Sequence, residues 1–158
     1  MRTKALFLAL FLSTFAVFSA SAYKAAVGGE FALKVGDSLP QSALLSLRLP
    51  KFPMVLGIGA SVNTDGGDPS LVVLADWWLA QGKLVGFVNY YIGPGLFLGV
   101  SENSTVLGGR IPVGVNCYPI KPLELFVELA PAMAFITPSG VHIPDWGLQA
   151  GFGFRFWF

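Results

Sequence analysis

Nine charged side chains, Lys24, Glu30, Lys34, Arg48, Asp76, Arg110, Glu124, Glu128 and Arg155, stand in stretches where apolar and polar residues alternate. Five are positive and four negative, and the chemistry such a near-balance offers is mutual pairing. A charge taken out of water is tolerable only when an opposite charge or hydrogen bonds meet it. Catalysis has less to draw on. His142 is the single histidine, with Ser139 and Asp145 nearby, but no nucleophile elbow or phosphate-binding glycine loop surrounds them. A hydrolase or acyltransferase at the rim, built on Ser139 and His142, is therefore the weakest reading. No catalytic, cofactor-binding or metal site is expected. Asn63, Asp65 and Asp68 approximate a calcium loop only loosely, because Gly67 and Leu74 stand where ligands are needed. Cys117 is the lone cysteine, which forbids an intrachain disulfide and reads as a small hydrophobe.

Strands are the elements that would position these charges. Over 147–158, Phe152, Phe154, Phe156 and Phe158 recur at every second residue, with Gly151, Gly153 and Arg155 between them. A period of two places the rings on one face and the polar set on the other. The same alternation predicts strands over 23–35, 41–49, 54–62, 70–80, 84–100, 106–118 and 123–136, eight with the last. Turns are expected at 80–83 and around Lys51 and Lys121, and outward loops around Asp37, Asp65, Asp68, Glu102 and Asp145. Apolar residues fill both faces of 70–80, where Asp76 fixes the inner side and takes Val72, Leu74 and Trp78 with it. Glu128 and Arg155 are expected to be cross-strand neighbours. The prediction is an all-β chain, an eight-stranded antiparallel up-and-down transmembrane β-barrel, since closure removes the edges that lipid would leave unsatisfied.

The interior of so narrow a barrel is filled by side chains. The nine charges read as a satisfied network that plugs it, with a narrow polar path as the alternative. The inward rings Trp78, Phe87, Tyr91, Phe97, Phe126 and Trp157 either pack on inward glycines or line an apolar pocket for a lipid-like molecule.

Residues 1–22 carry a positive start, an apolar run over 5–18 and the small-x-small site Ala20-Ser21-Ala22. They read as a secretory signal peptide preceding a barrel over 23–158. The chain is 54% hydrophobic with mean hydropathy +0.65, a level that would also suit membrane helices. The longest uncharged stretch beyond residues 1–23, 84–101, contains Gly86, Gly93, Pro94, Gly95 and Gly99, which suits twisted or bulged strands better than a helix. Without Arg2 and Lys4, eight basic residues face nine acidic ones, a net of −1. There is no basic arm for nucleic acid.

The aromatic closing strand resembles the C-terminal signature of bacterial outer-membrane barrels. The run Arg110-Ile111-Pro112-Val113-Gly114-Val115-Asn116-Cys117-Tyr118, followed by Pro122-Leu123-Glu124-Leu125-Phe126-Val127-Glu128-Leu129-Ala130-Pro131, is similar to a pattern in small OmpA/OmpX-like outer-membrane barrels. That resemblance implies an eight-stranded barrel in the outer membrane, in contact with lipid and inserted by the outer-membrane assembly machinery. Phe152, Phe154, Phe156 and Phe158 would act as the signal which that machinery reads. It implies no reaction, and only Arg110, Glu124 and Glu128 carry over, as structural charges. A monomer is expected, closed and non-enzymatic, with an OmpW-like conduit or pocket for small hydrophobic molecules as the alternative.

Overall fold

The computed structural model describes residues 25–35, 41–49, 52–62, 69–137 and 140–158; for 137 and 140–145 only the backbone is described. The proposed signal peptide, Lys24, Asp37, Lys51, Asp65, Asp68 and Ser139 lie outside the described residues, as do the side chains of His142 and Asp145.

Eleven strands occur, and no helix is found among the described residues. They are β1 (Ala26–Val35), β2 (Ser42–Leu49), β3 (Met54–Ser61), β4 (Leu71–Trp77), β5 (Ala80–Val85) and β6 (Val88–Ile92), then β7 (Gly95–Val100), β8 (Thr105–Arg110), β9 (Val113–Ile120), β10 (Leu123–Thr137) and β11 (Gly140–Trp157). Three walls are each made of two pieces: β4 continues into β5, β6 into β7, and β8 into β9. Every pairing is antiparallel, and β11 pairs with both β10 and β1. The sheet therefore closes into a barrel of eight staves. Ten register pairs join β1 to β11, from Ala26↔Trp157 to Val35↔Leu148, and seal the wall between the first and last staves.

Alternation sorts side chains in and out as expected for strands. In β11 Phe152, Phe154 and Phe156 are exposed while Gln149 and Arg155 are buried; in β10 Leu125, Val127 and Leu129 are exposed while Glu124, Phe126 and Glu128 are buried. In β4, Val72, Leu74 and Asp76 are buried, with Trp78 just beyond the strand, so Asp76 identifies the inner face of a strand that is apolar on both sides.

The fourth and fifth staves correct the sequence reading. Residues 80–83 form no turn; they belong to β5, whose Gln81 and Lys83 are register partners of Tyr91 and Asn89. The reversal comes at Gly86, which takes φ of +55°, a left-handed conformation that only glycine adopts at little cost. Polar Gln81 and Lys83 gave 80–83 the composition of a turn, but backbone conformation decides where a chain reverses. Phe87 is consequently 70% exposed at the hairpin, not inside the barrel. Alternation is also broken upstream. Trp78 N–H donates to Pro53 O at 2.7 Å and Leu79 N–H folds back on Trp77 O at 3.1 Å. After this kink Gln81, rather than an even-numbered residue, shares the inner side with Trp78. A smaller correction concerns the last stave, which begins at Gly140 rather than at 147.

Because β3 pairs with β4 only as far as Met54↔Trp77, β5 extends beyond the β2–β3 connection with a single neighbour, β6. β5, β6 and the end of β9 thus form a flange projecting past the barrel wall.

Candidate functional site

Ten polar side chains of the lumen and its mouth interlock. Arg110 lies in the sixth stave and reaches Asp76 of the fourth, its Nε 3.2 Å from Oδ1. It also pairs with Glu128 and donates from Nη1 to Gln149 Oε1 at 3.0 Å. Arg155 of the eighth stave donates to Ser46 Oγ of the second at 2.9 Å and approaches Glu124 at 3.5 Å and Glu30 at 3.8 Å. Arg48 of the second stave donates to Glu124 Oε1 at 3.0 Å and to Gln81 Oε1 at 2.9 Å. Hydrogen bonds link second stave to fourth, sixth to eighth and eighth back to second, and the Asp76–Arg110 ion pair links fourth to sixth. They form a closed circuit of braces around the lumen.

Three bridges run directly over a glycine on the intervening stave. Asp76 and Arg110 are both register partners of Gly95. Ser46 and Arg155 are both partners of Gly28. Tyr91, whose hydroxyl donates to Glu128 Oε2 at 2.8 Å, shares Gly114 as partner with Glu128. A side chain on the middle stave would stand where the bridge passes. A Cβ on Gly95 would overlap Asp76 and come within 3.1 Å of Arg110 Cγ, and one on Gly114 would overlap the Tyr91 ring.

Glu124, fully buried, accepts from the most partners: besides both arginines it takes Asn116 Nδ2–H at 2.7 Å and Trp157 Nε1–H at 2.8 Å. Aromatic faces complete the arginine environments. The guanidinium of Arg155 lies 3.8 Å over Phe126 and that of Arg48 lies 4.0 Å over Trp78, a placement that exploits the negative ring face. Glu30 Oε1, Ser42 Oγ and Trp78 Nε1 are buried with no hydrogen-bond partner, and the Asp76–Arg110 contact is an ion pair without hydrogen-bond alignment.

Of the nine charges expected inside, Glu30, Asp76, Arg110, Glu124, Glu128 and Arg155 are buried and Arg48 is nearly so. Lys34 is half-buried with a partner of its own, and Lys24 lies outside the described residues. Glu128 and Arg155 are not cross-strand neighbours. Arg155 is the register partner of Glu124, and Glu128 that of Gly151, so each arginine closes on a different carboxylate.

The six rings do not share one pocket. Trp78, Tyr91 and Phe126 pack together with Val55, the first two stacked at 3.6 Å between centroids. Phe97 belongs to a separate cluster with Leu44, Val72 and Leu74. Trp157 caps Glu124, and Phe87 is outside. Phe97 lies against Gly108, Tyr91 against Gly114 and Phe126 against Gly153, so the inward glycines are seats for rings. The residues missed from sequence were the neutral members of the circuit, Ser46, Gln81, Asn116 and Gln149. Their inward parity was the available signal for Ser46, Asn116 and Gln149; the kink at 77–79 hid it for Gln81.

The chain matches no family model, no curated protein and no solved structure in comparison with known proteins.

Proposed function

We propose that this chain is an integral outer-membrane β-barrel protein, non-enzymatic and closed, which contributes to envelope structure. The observation that carries this reading is the inversion of polarity: arginines and carboxylates fill the lumen while Phe31, Leu45, Ile58, Leu96, Val127 and Phe152 are exposed on the wall. In water that wall would be an apolar patch far beyond what monomers leave open. Against hydrocarbon it is the favourable surface, and the closed sheet satisfies the backbone. The circuit of braces spans the lumen and supports a plug rather than a path. The aromatic strand β11, similar to the closing strand of OmpA/OmpX-like proteins, supports insertion by the outer-membrane assembly machinery.

Refolding into phosphatidylcholine vesicles, followed by planar-bilayer recording, tests this. A heat-modifiable band with no steady conductance is expected. Failure to associate with vesicles would remove the membrane reading, and steady ohmic conductance would remove the plug.

One observation favours the second reading, an OmpW-like pocket. Gly99 is inward and buried, yet a Cβ built there meets no atom within 4 Å. The lumen near it is bordered by Val72 and Val106, the register partners of Gly99, and could admit an apolar group. Mass spectrometry of the barrel extracted in mild detergent separates the readings, since a stoichiometric lipid-like species would favour the pocket.

A further inference from the structure

The flange leaves a mouth at the end of the barrel where β2 and β3 connect. Arg48, Gln81, Lys83, Asn89, Asn116 and Tyr118 line a cavity there of about 290 Å³. Its wall follows from register, because Lys83, Asn89 and Asn116 are successive partners across β5, β6 and β9. With Tyr90, the lining offers two cations, three carboxamides and two phenols, and no carboxylate. Arg48 is held in place by Glu124, Gln81 and the Trp78 face. Lys83 is exposed and makes no ion pair among the described residues. Glu124 and Gln81 already take donors of Arg48 and Asn116 from within, so an anion in the mouth meets Lys83, Asn89 and the remaining N–H groups of Arg48 and Asn116, a set suited to a carboxylate.

Beside this cavity runs an open sheet edge. β5 is the end of the strand order and, among the described residues, pairs with β6 alone, so on its other side the backbone N–H and C=O groups of alternate residues of the six have no strand partner there. Natural edges are usually blunted by charge, proline or a bulge turned outward. Here Lys83 is the one charge, and Leu84 and Val85 are 60% and 69% exposed. Lipid headgroups and small anions cannot satisfy a row of alternating donors and acceptors; another main chain can.

The geometry points to a site for an extended peptide that bears a carboxylate. Its main chain adds to the free edge of β5, and its carboxylate sits in the mouth against Lys83, Asn89, Asn116 and Arg48. This goes beyond the proposed structural role and does not depend on the bilayer, since edge and cavity belong to the flange itself.

The test uses the full-length barrel refolded in detergent and titrated calorimetrically with acetyl-Val-Thr-Val-Thr-Ala carrying a free C-terminal carboxylate. The probes beside it are its C-terminal amide, a form N-methylated at alternate residues, and sodium acetate. Saturable binding of the free acid is expected, weakened about 10-fold or more in the amide and in the N-methylated peptide, the fold-change that corresponds to one lost charge-assisted interaction. Lys83→Gln, an exposed change that leaves the braces intact, should weaken the acid severalfold and leave the amide unchanged. Equal binding of acid and amide, or no effect of Lys83→Gln, overturns the carboxylate assignment. Acetate binding as tightly as the peptide, or an unaffected N-methylated peptide, overturns strand addition. No binding by the free acid at millimolar concentration overturns the proposal as a whole.

Discussion

Asp76 and Arg110 meet across Gly95, a residue to which both are register partners, with 3.2 Å between carboxylate Oδ1 and guanidinium Nε. The bridge exists because the stave between them carries no side chain. A brace two staves long is a compact way to fill an eight-stranded lumen, and it makes the glycine as much a part of the pair as the charges. Overpacking typically costs about 1–3 kcal/mol. Gly95→Ala and Gly114→Ala should each destabilise the barrel by about that amount in urea titrations, whereas Gly99→Ala, with open space before it, should stay within about 0.5 kcal/mol of the parent. Equal effects at the three positions would remove the role assigned to the bridges.

Glu124 accepts from Arg48, Arg155, Asn116 and Trp157, so its replacement strands two guanidiniums at once. Glu124→Leu should cost about 3–5 kcal/mol, the usual penalty for breaking a buried pair from one side. Trp157→Phe should cost about 1.5–3 kcal/mol, since it removes one hydrogen bond to a charged group and keeps most of the ring. Denaturant midpoints at constant slope would give both values.

Arg110 serves Asp76, Glu128 and Gln149 together. Arg110→Met should therefore cost more than Asp76→Asn, and their combination should be less than additive, with a coupling of about 0.5–3 kcal/mol. Additive behaviour in the double-mutant cycle would show that the ion pair contributes nothing specific.

The outer wall provides a test of its solvent. Phe154→Arg should cost about 2–4 kcal/mol in a bilayer if the position lies near the midplane. Cys117, the sole thiol, is half-exposed on the wall. In vesicles it should resist a charged maleimide that modifies Phe87→Cys, made in a Cys117→Ser background, within minutes. Rapid modification of Cys117 by the charged reagent would place it in water.

Much of this arrangement was legible in the alternation of residue types. Period two gave the parity of Glu124, Glu128 and Arg155, and with it the inner faces of β10 and β11, whereas in β4, apolar on both faces, only the charge of Asp76 marked the inner side. What parity cannot give is height along the barrel axis. Arg155 and Glu128 share an interior and a pair of neighbouring staves, yet register sets Arg155 opposite Glu124, and register depends on the length of every connection before it. Parity also fails wherever the chain kinks. Between Trp77 and Ala80 the backbone loses one step of the alternation, and with it the inward place of Gln81 and the outward place of Phe87. With Gln81 and Lys83, 80–83 looked like a turn because composition reports solvent contact, and the flange grants that contact to a strand.

The seam between β1 and β11 has a consequence for the order of events in folding. Arg155 bonds Ser46 across 109 residues of sequence, and Arg48 reaches Glu124 across 76. Neither link can form until the last stave meets the first. The Asp76–Arg110 and Arg110–Glu128 pairs join staves on one side of the seam and need no such meeting, so the two long-range links are the ones that depend on closure. Contacts of such sequence separation slow folding, so the rate-limiting event should be this final joining, and variants of the braces should alter how long the sheet stays open before it becomes a barrel.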